Sequence, residues 1–150
     1  MDANRLIKWV VVIALAVVAW KYAIPWAKQQ MNGHASSSAS DNSCVAAAQR
    51  ASEAWGSGLH RFANPPYDLG AWSTFHDDVE GKITAAESQC RSSAQSCEAA
   101  RTAMSELRNL TRDLDTAIRN GSPPPDDAVQ RQEAIDTKIE GAADLARSGK

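Results

Sequence analysis

From Cys44 onward, apolar residues recur at steps of three and four in four separate segments, with no convincing alternation of two. That spacing gathers them on one face of a helix rather than one face of a strand. The larger, C-terminal part of the chain is therefore restricted to helix-on-helix packing, an all-α fold. In the first segment Val45, Ala48, Ser52, Trp55, Leu59 and Phe62 share a face. Asp41 and Ser43 precede it as caps, and the sequence NPP ends it. The second segment aligns Trp72, His76, Val79, Ile83, Ala86 and Cys90, with Phe75 beside them. The third aligns Ala100, Ala103, Leu107, Leu110, Leu114 and Ala117, joined by Met104 and Ile118, and must stop at NGSPPP. The fourth starts near Asp126 or Asp127 and aligns Ala128, Ile135, Ile139, Ala142 and Leu145. These stripes are narrow and rich in Ala, close to the seam of a coiled coil, which suits closely packed helices.

Short connections make sequential helices antiparallel neighbours. A turn in NPPYDLG, centred near residue 66, sets Cys44 level with about residue 89 and so beside Cys90. The stretch ESQCRSSAQSC, between the second and third segments, is open to two readings. Ser92 and Gln95 match a capping box, which restarts a helix. Yet the apolar register runs from Trp72 through Cys90 and Cys97 to Leu107 without a phase break, as in one continuous helix. The first reading gives an antiparallel up-down four-helix bundle over residues 44–148. The second leaves three helices, with residues 71–119 as one long rod that needs a partner chain. Closing a compact core favours the bundle.

The three cysteines follow from that geometry. Cys44–Cys90 is the disulfide that the hairpin level selects, and Cys97 is left as a spare, free or bridged to another chain. Cys90–Cys97 requires the turn, because seven residues of helix separate them by about 10.5 Å, beyond disulfide reach. Their spacings lack the close pairs of a zinc site, so no metal and no cofactor are expected. His76 on a seam, with Met104, is weighed as a haem ligand pair, but antiparallel pairing sets His76 level with about residue 111 and Met104 two turns away.

The other concentrated apolar stretch is the run from Leu6 to Trp26, LIKWVVVIALAVVAWKYAIPW. Leu6 to Ile24 spans about 28 Å as a helix, close to the thickness of a bilayer's hydrocarbon core. Lys8 and Lys21 sit near its ends, and Trp9, Trp20, Tyr22 and Trp26 suit the two interfaces. A cleaved signal peptide and a buried core helix are the competing readings. The signal is weakened because cleavage after Ala19 leaves bulky Trp20 and Lys21 at the new terminus. The expected layout is a cytoplasmic N-terminus (1–5), a transmembrane anchor (6–26), a flexible Ser-rich linker (27–43) and the helical domain (44–148), which lies in the periplasm or outside the cell.

Residues 41–150 carry twelve Lys and Arg against seventeen Asp and Glu, a balance of −5. An acidic domain of this kind lacks the basic face that nucleic-acid binding requires. There is no Gly-rich phosphate loop, no His-Glu-x-x-His and no nucleophile elbow, so an enzyme is not expected. Trp55, His60, Phe62, Tyr67, Trp72 and Phe75 gather around the first hairpin turn. They form either a plug that closes the bundle end or a patch that binds a partner, since aromatic residues dominate interface hot spots. The expected role is a non-enzymatic interaction or structural component of the cell envelope, bound to the membrane by its N-terminal helix and to another envelope protein or to itself. The alternative is a ligand, metal or redox sensor using the bundle core or the cysteine-bearing end.

Overall fold

The computed structural model describes residues 39–149, with side chains from Asp41 onward. These residues form four helices and one short 3₁₀ turn: α1 (Ala39–Leu59), the turn (His60–Phe62), α2 (Leu69–Gln89), α3 (Gln95–Arg119) and α4 (Ala128–Arg147). The anchor expected at 6–26, with its interfacial Lys8, Trp9, Trp20, Lys21, Tyr22 and Trp26, lies outside the described residues. Among the described residues no helix is long and apolar enough to cross a membrane.

Each boundary has a local cause. The α1 helix begins at Ala39, so the tail of the expected linker and both expected caps, Asp41 and Ser43, are helical. The α2 helix starts where the Asp68 carboxylate accepts the Gly70 and Ala71 amides, at 3.0 and 2.9 Å, satisfying two of the donors that a helix start leaves open. At the end of α3 the Ser122 amide reaches back to the Ala117 carbonyl and the Gly121 amide to that of Ile118. Gly121 adopts φ 64°, the left-handed conformation this ending requires.

The helices pack as two hairpins, α1–α2 and α3–α4, with α2 also against α3 and α4 against α1. The α1 and α3 helices meet across the diagonal. Ala47, Ala48 and Ala51 on α1 and Ala100 and Ala103 on α3 are all buried, and such small side chains let helix axes approach closely. Val79, Ile83, Met104, Leu107, Leu110, Leu114, Ile118 and Ile135 fill the space between them. On α4 the buried stripe ends at Ala146 rather than Leu145, which is only partly covered.

The chain does turn between α2 and α3, giving four helices rather than three. The capping box expected of Ser92 and Gln95 does not form. The N-cap is Ala94, with no side-chain cap bond, and Ser92 instead accepts the Ala94 amide and donates to Asp41 of α1. Tertiary contacts make the break, and the continuous apolar register hides it.

Candidate functional site

Three groups of side chains tie helix to helix and mark the places where chemistry is concentrated. The first is at the end of the bundle where residues 1–38 join α1. Cys44, in α1, is bonded to Cys90, the C-terminal cap of α2, with Cα atoms 4.7 Å apart. Cys97, in the first turn of α3, is a free and wholly buried thiol. Its Sγ donates to the Asp41 carboxylate at 3.6 Å, which also accepts from Ser92 at 2.9 Å. Arg101, one turn further along α3, donates to the Cys90 carbonyl at 2.8 Å and the Ser92 carbonyl at 3.4 Å. All three cysteines therefore belong to one junction of α1, α2 and α3. Cys97 is buried within the chain, so a bridge from it to another chain would require this end of the bundle to open.

The second group clasps α2 to α3. The Arg108 guanidinium spans Glu87, at 2.7 and 2.8 Å, and Glu80, at 3.1 Å, and also donates to Thr84. Burial alone pulls Arg108 down, but the hydrogen bonds to Glu87 and Glu80 and their charges outweigh it and hold the group above its ordinary value. Thr111, fully buried, donates to the other Glu80 oxygen at 3.0 Å. One turn beyond Thr111 along α3, Asp115 accepts from the Trp72 indole at 2.8 Å and also pairs with Arg119. Burial raises the Asp115 carboxyl, yet Arg119, the Trp72 indole and nearby His76 together hold it below its usual range.

The third group lies on the α1–α4 seam. The Ser52 hydroxyl donates to Asp136 at 2.6 Å, and the Gln132 amide donates to both, at 3.2 and 3.0 Å. Burial pushes the Asp136 carboxyl up, against the hydrogen bonds from Ser52 and Gln132, and Glu133 adds to the rise.

The aromatic residues resolve as a plug. Trp55 and Trp72 are completely buried, and Phe62 and Phe75 nearly so. Trp55 and Phe75 stack with centroids 5.7 Å apart, Phe62 meets Trp72 edge-on at 5.0 Å, and Phe75 lies 5.5 Å from Phe62. These four were candidates for an exposed interaction patch, and packing against one another takes them off the surface. Tyr67 is half-buried, and burial raises its hydroxyl. Only His60 of the six is exposed. Gly58 makes the plug possible: a Cβ there would lie 2.1 Å from Phe75 Cε2.

His76 sits at the edge of the seam with 15% of its side chain exposed. The neighbouring contacts Trp72–Asp115 and Glu80–Thr111 place it level with residues 111–115 of α3, not with Met104. Among the described residues no cluster of three or more His, Cys, Asp or Glu could hold a metal ion. A shallow hollow of about 140 Å³ lies between α3 and α4, lined by Glu106, Asn109, Arg131, Ala134 and Ile135. It is small beside the roughly 300–1,000 Å³ of ordinary ligand pockets, and the two charged residues that line it are engaged, Arg131 with Asp113 and Glu106 with Lys138.

Sequence reasoning reached the cysteine pair and the aromatic cluster. It missed the α1–α4 seam, although Ser52 on an otherwise apolar stripe was the available signal. No family profile matches the chain, and neither curated proteins nor solved structures show significant similarity to it.

Proposed function

We propose that this protein is a non-enzymatic component of the cell envelope, held in the membrane by residues 6–26 and carrying its helical domain outside the cytoplasm as a structural or protein-interaction module. The observation that supports this reading best is the Cys44–Cys90 disulfide. It lies in the second turn of α1, a few residues after the N-terminal segment joins the domain, and it bonds that point to the α2–α3 turn. Tension arriving through the N-terminal segment passes into two helices at once through a covalent bond, and α1 cannot be peeled away alone. A bond of this kind persists in oxidising compartments, in keeping with a domain outside the cytoplasm. The interior is occupied by packed side chains, with Met104, Leu107 and Ile83 wholly buried, so a partner would be engaged through the polar helix surfaces.

Fractionation of cells producing the full chain tests this reading. The protein should remain with membranes after alkaline carbonate extraction, and external protease should digest the helical domain in intact spheroplasts. Recovery in the soluble cytoplasmic fraction, with Cys44 reduced, would overturn it.

A further inference from the structure

We propose that the α1–α4 seam is a proton-operated latch, closed when the Asp136 carboxyl is neutral and loosened when it is ionised. The geometry at the seam carries the argument. Asp136 receives hydrogen bonds from Ser52 and Gln132 but makes no ion pair among the described residues. By contrast, Glu80, Glu87, Asp113, Asp115 and Glu106, the carboxylates that link α2 to α3 and α3 to α4, each pair with an arginine or lysine.

The cluster is also short of a donor. Ser52 spends its one proton on Asp136, and the Gln132 amide is shared between Ser52 and Asp136. The Gln132 carbonyl oxygen is left buried without a partner. A proton on Asp136 removes an uncompensated charge from a half-buried site and supplies a donor where acceptors are in excess.

The surroundings do not offset this. On α4 itself Glu133 adds negative charge, and Glu140, one turn beyond, is exposed. On α1 the flanking Arg50 and Glu53 are both exposed, and Ser52 is the group in contact. From α3 the charged groups reaching α4 are Glu106 and Asp113, already held by Lys138 and Arg131. The upward push that burial gives the carboxyl has the same sense.

The direction of the effect follows. The unfolded carboxyl titrates near its ordinary value of about 3.9, and the folded one above it. Between those values the folded state holds more protons, so stability falls as pH rises through the window. The seam is tightest in mild acid and loosest at neutral pH. This inference concerns the domain alone and does not depend on the membrane anchor.

The test compares the oxidised full chain with Asp136→Asn, which supplies a neutral donor at every pH. Thermal unfolding and amide exchange along α1 and α4 are followed from mild acid to neutrality. At neutral pH the variant should melt higher than the parent and exchange more slowly around residues 132–136, by up to tenfold for each unit the carboxyl is raised. The difference should shrink as pH falls through the window and vanish as pH reaches the ordinary carboxylate value. A variant no more stable than the parent at neutral pH, or a difference independent of pH, would overturn the latch. Should Asp136→Asn fail to fold, carbon-13 titration of the Asp136 carboxyl in the parent decides. A midpoint above the ordinary carboxylate value supports the latch, and one at or below it refutes it.

Discussion

The α1 backbone at Gly58 packs against the ring of Phe75 with no room for a side chain, and Gly58→Ala tests whether that contact governs stability. An alanine Cβ would lie 2.1, 2.7 and 2.8 Å from three atoms of the ring, where carbon contacts settle at about 3.5–4.0 Å. The ring must therefore retreat by more than about 1 Å to reach that contact distance. It has nowhere to go: Trp55, Phe62 and Trp72 surround it with centroids 5.7, 5.5 and 5.8 Å away. Overpacking of this kind costs about 1–3 kcal/mol, and displaced ring pairs lose roughly 0.5–1.5 kcal/mol each. Against that, alanine gains up to about 1 kcal/mol over glycine in a helix. With one ring pair displaced the sum is a net loss of roughly 0.5–3.5 kcal/mol, and each kcal/mol lowers Tm by roughly 4–8 °C in a domain near this size. The control is Gly81→Ala, an exposed position inside α2 with nothing near the added methyl, which should stabilise by about 0.5–1 kcal/mol. Paired thermal or urea denaturation reads both signs. If Gly58→Ala matches or exceeds the parent, the account of the aromatic plug is wrong.

Replacing both Cys44 and Cys90 by Ser reopens a loop with a sequence separation of 46. Chain entropy predicts a loss of roughly 4 kcal/mol as an upper value, measurable by urea denaturation, and a loss well under about 1 kcal/mol would contradict the disulfide's structural role. Asp115→Asn removes the charge that Arg119 and the Trp72 indole hold, and should cost about 1 kcal/mol at neutral pH. Because that carboxyl is held below its usual range, its contribution is present above the ordinary carboxylate value and is lost as pH falls toward the lowered one. The deficit of the variant should therefore disappear in strong acid, and a deficit that persists there would refute the electrostatic part of the explanation.

The helical class and the hairpin pairing were legible because apolar spacing and proline-rich turns are local signals. The pairing of Cys44 with Cys90 followed from counting residues on either side of a turn. The break after Cys90 was favoured by compactness, but its cause was not legible, since it depends on Arg101 donating to the Cys90 and Ser92 carbonyls and on Asp41, from another helix, accepting from Ser92. The fate of the aromatic residues was undecided for a similar reason: periodicity places Trp55 and Phe75 on inner faces but does not say whether the end of the bundle closes over them. Gly58 decides that, and glycine in a helix carries no mark of what approaches it. Asp136 and Gln132 lie beside the apolar stripe of α4 rather than on it, so their convergence on Ser52 appears only once α1 and α4 are packed.

The most direct test of the account is non-reducing peptide mapping of the full chain recovered from its native compartment. The account predicts a cross-linked peptide pair joining Cys44 to Cys90, a Cys97 that is alkylated only after denaturation, and peptides from residues 6–26 still attached to the chain. Free alkylation of Cys44 and Cys90 without reductant would contradict the disulfide, and a chain that begins after the apolar run would contradict the proposed membrane anchor.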